Sequence, residues 1–160
     1  MAHSKTWKSA KEKRDSGAFI TFPLSVLGSR AYIEAGPHAR MLLVDLAFQY
    51  RGDNNGDLCA AWKIMKLRGW RSEDTLAKAK RDLLNLGLIV ETRKGARPNK
   101  CSLYALTSCA LDLCGGKLDI LPQSFARGAY RLRDTLPPIK PKNASLTTPA
   151  VVLSRITIYP

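Results

Sequence analysis

RSEDTLAKAKRDLLNLGLIVETRKGARPNKCSLYAL, residues Arg71 to Leu106, carries the pattern on which the fold turns. Ser72 offers an N-cap oxygen, and Glu73 and Asp74 put negative charge where a helix dipole favours it. A helix is therefore predicted over about Glu73 to Leu86. At roughly 100° per residue from Leu76, one side collects Ala79, Leu83 and Gly87, with Leu84 at its edge. The other side collects Asp74, Thr75, Lys78, Arg81, Asp82 and Asn85. Lys80 falls near the border, where its stem can lie on apolar surface. Gly87 can end the helix. LIVETR (88–93) and CSLYALT (101–107) then read as strands, joined by the hairpin tip KGARPNK (94–100).

Upstream, WRS leads into this helix from CAAWKIMKLRGW (59–70), a second helix. Ala60 or Ala61, Ile64 and Leu67 are expected to form its apolar stripe, with Lys63 and Lys66 outside. Gly69 is placed to end it in a left-handed cap. Two helices joined by the tight turn Arg68–Arg71 have the spacing of a helix-turn-helix. RGDNNGDL (51–58) is a turn and not a calcium loop, because no Glu follows at the distal ligand position. Before it, GPHARMLLVDLAFQY (36–50) reads as a long helix with Pro37 at its first position. Leu42, Leu43, Leu46 and Tyr50 mark its buried face, and Arg40 and Asp45 are expected toward the other side. LSVLGSRAYIEA (24–35) is a short helix or two turns, after an extended lead-in of Phe19, Ile20 and Phe22. Trp62 and Trp70 are read as packing residues rather than as base-stacking groups.

At 160 residues the chain has room for one domain with a real core. The expected organisation is a basic flexible arm over 1–17, a domain over 18–108, and an extension over 109–160. That extension is partly linker-like (TLPPIKPKNASLTTP, 135–149), with a candidate terminal strand in AVVLSRITIYP. The charge is unusual: 26 Lys and Arg against 13 acids, a formal net of +13. Residues 60–100 hold eleven basic residues and four acids, a surplus of seven. Such a field draws polyanions.

Several classes are disfavoured. No run nears the roughly 18 apolar residues of a membrane span, and the basic N-terminus lacks the apolar stretch of a secretory signal. Cys59, Cys101, Cys109 and Cys114 show no Cys-x-x-Cys spacing, and the only histidines are His3 and His38, so no metal site is expected. The thiols are expected to be reduced and partly buried. Neither a P-loop, nor Gly-x-Ser-x-Gly, nor HExxH is present, so no catalytic residues, cofactor, small-molecule substrate or enzymatic activity are expected.

With FITFPLSVL (19–27), ARMLLVDLAFQYRGDNNGDL (39–58) and SEDTLAKAKRDLLNLGLIVETRKG (72–95), residues 19–107 resemble the winged helix-turn-helix domains of plasmid, phage and integrated-element proteins. The resemblance implies an α+β, mainly α fold with a basic β-hairpin wing, followed here by a partly extended C-terminal tail. It also implies duplex DNA as the partner. The residues that would meet it are Arg71, Ser72, Thr75, Lys78 and Arg81 around the helix, and Arg93, Lys94, Arg97, Asn99 and Lys100 on the wing. One α-helix fits the major groove, where Thr75, Lys78 and Arg81 would address phosphates and base edges. The expected role is transcriptional regulator or replication accessory factor of a mobile element. Its expected place is the bacterial cytoplasm, nucleoid-associated when bound. Homodimerisation stays open, as do RNA binding and the competing role of a protein-interaction module whose wing or end strand docks another protein.

Overall fold

A computed structural model describes residues 17–96, 98 and 100–135. The basic arm before residue 17, Arg97, Asn99 and the tail beyond 135 lie outside the described residues. The fold is α+β and mainly helical, with one small three-stranded antiparallel sheet. Two short helices, α1 (Leu24–Leu27) and α2 (Arg30–Glu34), precede the long α3 (Pro37–Gln49). Strand β1 (Leu58–Cys59), α4 (Trp62–Leu67), α5 (Glu73–Asn85), β2 (Ile89–Arg93) and β3 (Leu103–Leu106) follow. The sheet order is β1-β3-β2, with Leu58 opposite Tyr104, Ile89 opposite Leu106 and an irregularity between Glu91 and Arg93.

The core forms where α3 packs along α5. Leu42, Leu43 and Leu46 of α3 meet a layer that includes Leu76, Ala79 and Leu83 of α5, all buried. Pro37 stands at the start of α3, where a missing N–H costs nothing. Gly69, at φ +92°, turns the chain out of α4 in a conformation that only glycine adopts cheaply. Ser72 caps α5 by accepting a hydrogen bond from the Thr75 N–H at 3.3 Å.

Two expectations are corrected here. The helix expected from Cys59 starts only at Trp62, because Leu58 and Cys59 are taken into the sheet opposite Tyr104 and Leu103. The shorter helix also presents a different face. Met65 is the side chain that enters the core, while Ile64 and Leu67 stand 42% and 88% exposed. An unbranched methionine fills an irregular gap between helices that a β-branched residue would not.

The turn before β1 is held by Asn55, which is wholly buried. Its amide donates to the carbonyls of Leu106 at 3.0 Å and Ala110 at 2.7 Å, and its Oδ1 accepts the Leu106 N–H at 2.7 Å. Its own backbone pairs with Asp112: the Asn55 N–H donates to the carboxylate at 2.7 Å, and the Asp112 N–H donates to the Asn55 carbonyl at 2.9 Å.

Residues 109–135 run back over this body in three short 3-10 turns, Cys114–Gly116, Pro122–Ser124 and Ala129–Thr135. Tyr130 is buried in the same core, and its hydroxyl meets Ser25 Oγ at 3.2 Å. Burial of such a side chain stabilises by about 2–3 kcal/mol. Gly87 admits this return: a Cβ there would lie 3.0 Å from the Ala129 carbonyl. The Gly128 N–H donates to the Thr107 carbonyl at 2.7 Å, and Arg133 Nη2 donates to the Asn85 carbonyl at 2.9 Å. Glu34 accepts from Arg30 at 2.7 Å and from Arg133 at 3.2 Å, while the Arg30 N–H donates to Asp134 at 2.8 Å. Among the described residues, no helix is long and apolar enough to cross a membrane.

Two measurements follow. Asn55→Ala strips the side-chain partner from the Leu106 N–H and from the Leu106 and Ala110 carbonyls, so urea unfolding is expected to show a loss of about 2–4 kcal/mol. The hydrogen bond from Arg30, helped by the charges of Arg30 and Arg133, holds the Glu34 carboxyl below its ordinary value against the opposing effect of desolvation. A lowered folded value means a contribution present above the unfolded pKa and lost as pH falls through the folded one. Thermal melts at about pH 6 and about pH 3 should therefore show wild type losing more stability on acidification than Glu34→Gln.

Candidate nucleic-acid interface

The turn into α5 is built on a buried carboxylate. Asp45 lies on α3, and its Oδ2 accepts the Trp70 indole N–H at 2.8 Å. Its Oδ1 accepts Arg68 Nε at 3.0 Å and lies 3.0 Å from Arg68 Nη2. The guanidinium carbon of Arg68 sits 4.3 Å from the centre of the Phe48 ring. Asp45 was expected on the outer side of its helix; it faces inward at 6% exposure. A carboxylate tolerates burial when its charge is matched and its lone pairs are filled, and here a guanidinium and an indole do both. Arg40 lies half-buried, donating to the carbonyls of Tyr32 and Ile33 at 3.1 and 2.7 Å.

Beyond this anchor α5 presents its polar side. Arg71, Ser72, Lys78 and Arg81 are exposed and Thr75 is half-buried. Arg71, Ser72 and Thr75 line a cleft of about 180 Å³ with His38, Met41, Gly69 and Trp70. Thr75, Lys78 and Asp82 line a second of about 280 Å³ with Gly36, Pro37, His38 and Ala39. Both clefts lie between α5 and the first turn of α3. Lys80 is half-buried, as its border position implies.

The hairpin carries the second cluster. Lys94 and Lys100 are exposed, and the hairpin narrows through a mutual pair of backbone bonds between Ala96 and Lys100 at 2.8 and 2.9 Å. Arg93 behaves differently. Its Nη2 donates to the Cys101 carbonyl at 3.2 Å, and its Nε is buried without a partner. Arg97 and Asn99 lie outside the described residues. Asp119, from the C-terminal segment, was not anticipated at this place. Its carboxylate accepts the Lys94 N–H at 3.0 Å and stands 3.9 Å from Lys100 Nζ, while its own N–H donates to the Thr92 carbonyl at 2.8 Å. No local sequence signal announces it, because it is 25 residues from Lys94.

The described residues contain no group of three or more His, Cys, Asp or Glu side chains placed to hold a metal ion. Compared with known proteins, the chain matches no family model, no curated protein and no solved structure.

Removing the anchor tests how α5 is held. Asp45→Ala leaves the Trp70 N–H and the Arg68 charge uncompensated, and is expected to cost about 3–5 kcal/mol in denaturant unfolding. Asp45→Asn keeps an acceptor for Trp70 and should cost less.

Proposed function

We propose that this chain is a sequence-preferring duplex DNA-binding protein whose helices and sheet act as a winged helix-turn-helix. In this reading α4, the Gly69 turn and α5 are the helix-turn-helix, and the hairpin between β2 and β3 is the wing. The observation that carries the proposal is α5 itself. Its apolar stripe is spent on α3, and Lys78 and Arg81 stand exposed on the helix, next in sequence to a hairpin tip that exposes Lys94 and Lys100. The seven-charge surplus of residues 60–100 supports the same partner. A transcriptional regulator or replication accessory factor of a mobile element is the role we assign to it.

Division of labour follows from reach. Thr75, Lys78 and Arg81 would address base edges in the major groove, and Arg71, Lys94 and Lys100 the phosphates. Ser72 is committed to capping, so its part is to orient the first N–H groups of α5 toward a phosphate. Arg93 is held against the Cys101 carbonyl, so a contact with DNA would use only what that bond leaves over.

An exposed apolar stripe favours a second reading, that of a protein-docking module. Met41, Val44 and Phe48 recur at helical spacing on α3 and are 42%, 43% and 58% exposed. Fluorescence anisotropy on mixed duplex DNA at low salt separates the two, since a docking module alone gives no binding.

If five or six phosphates are neutralised, log K should fall with log salt at a slope of roughly −5. Arg81→Ala should relax preference at one or two base pairs by about 1–3 kcal/mol each. Lys94→Ala should instead weaken all sequences alike and reduce the slope by about 1. Selection from a random duplex pool, repeated with each variant, reads both effects. Equal losses on every sequence for both variants would contradict the division of labour.

A further inference from the structure

Helix α3 is apolar on two sides. Leu42, Leu43 and Leu46 fill the core. On the outer side, every exposed side chain from Met41 onward is apolar: Met41, Val44 and Phe48. The charged residues of the helix face elsewhere. Asp45 is buried against Trp70 and Arg68, and Arg40 donates to the Tyr32 and Ile33 carbonyls. A helix that borders water carries its polar residues on the outer face, whereas one that is apolar all round is covered.

Helix α4 continues this surface. Arg68 reaches across from its end, with the guanidinium carbon 4.3 Å from the centre of the Phe48 ring. Ile64 lies one turn before Arg68 on the same side of α4, and Leu67 stands beside it; they are 42% and 88% exposed. Arg68 brings its own counter-ion, because Asp45 Oδ1 accepts its Nε at 3.0 Å. Covering Arg68 therefore leaves no unmatched charge.

We propose that this surface, Met41, Val44 and Phe48 of α3 with Ile64 and Leu67 of α4, seats a second copy of the chain in a two-fold dimer. Its size is right for that occupant. At about 200 Å² for each free side chain, the five expose on the order of 500 Å². A standard interface takes about 800 Å² from each partner, somewhat more than half of it apolar. The spacing agrees: Met41, Val44 and Phe48 follow one another at three and four residues, the seam by which a helix packs against its own kind. So does the composition. A two-fold contact sets a surface against itself, and a stripe without exposed charge does so without bringing like charges together. A partner selected by charge would find none on the stripe to read.

The formal charge of +13 on each copy acts against the contact. Apolar burial draws the copies together and charge drives them apart, and added salt screens only the second effect. The dimer therefore tightens as salt rises, the opposite of what salt does to a DNA complex.

Self-association at this surface does not depend on the DNA reading, and it is measured without DNA. The test is sedimentation equilibrium of the full chain from about 1 to 100 µM, in about 0.1 M and about 0.5 M salt. The expected mass climbs from 17.7 kDa to twice that and no further, with a dissociation constant severalfold lower at the higher salt. Val44→Glu and Leu67→Glu should each weaken the dimer by about tenfold or more. Leu24→Glu, at an 84% exposed position on α1 outside the surface, should leave it unchanged. Leu67 has little contact to lose within one chain, and thermal melts of the variants read folding separately. A monomer at every concentration and salt would overturn the proposal and give the surface to a different protein. Mass growing past the dimer, a dimer loosened by salt, or loss in Leu24→Glu but not in Val44→Glu would overturn it as well.

Discussion

A single carboxylate, that of Asp45, sets the position of everything that α5 presents. It ties α3 to the turn between α4 and α5 through the Trp70 indole and the Arg68 guanidinium. Without that tie the turn would lose its side-chain link to α3 and rest on backbone bonds, such as that from the Trp70 N–H to the Met65 carbonyl at 3.2 Å, and on the packing of the Trp70 ring. A charge so enclosed is expensive unless every partner is in place, so the knot tolerates few arrangements. This is how a six-residue helix, too short to be stable by itself, comes to hold the start of a longer one. The caps and clefts at the first turn of α5 inherit their geometry from it.

The remainder of the body is closed by polar residues acting over long distances in sequence. Asn55 joins the turn before β1 to the end of β3 and to Asp112. Thr92 donates to the Gly56 carbonyl at 2.6 Å, and Thr107 to the Gly87 carbonyl at 2.7 Å. Each fills a backbone group that a two-residue strand and short turns leave over. The sheet is small, and these side chains supply what a longer ladder would have supplied.

Local periodicity made the helices readable. The stripe Leu76, Ala79, Leu83, the cap at Ser72 and Pro37 at the head of α3 follow from spacing and capping chemistry, and the structure has each of them. What stayed hidden depends on partners distant in sequence. Asp45 looked like a solvated acid because its indole partner lies 25 residues away. The two-residue strand at Leu58 carries no period to detect, and missing it displaced the start of α4 and turned its expected apolar face outward. In the candidate site, the cations of α5 were legible from the helical wheel. The half-buried state of Arg93 and the approach of Asp119 were not, because both arise from tertiary contacts with Cys101 and Lys94.

The clasp between the two short helices α1 and α2 and the last 3-10 turn joins residues about a hundred positions apart: Ser25 with Tyr130, Arg30 with Asp134, and Glu34 with Arg133. Contacts of such separation are slow to find and come late in assembly. On a ribosome, which releases the chain from its N-terminus, the helices and hairpin can gather while Tyr130 is still unmade. Their shared interior then keeps a vacant seat until the last of these residues emerges, and only at that point does the nascent body seal.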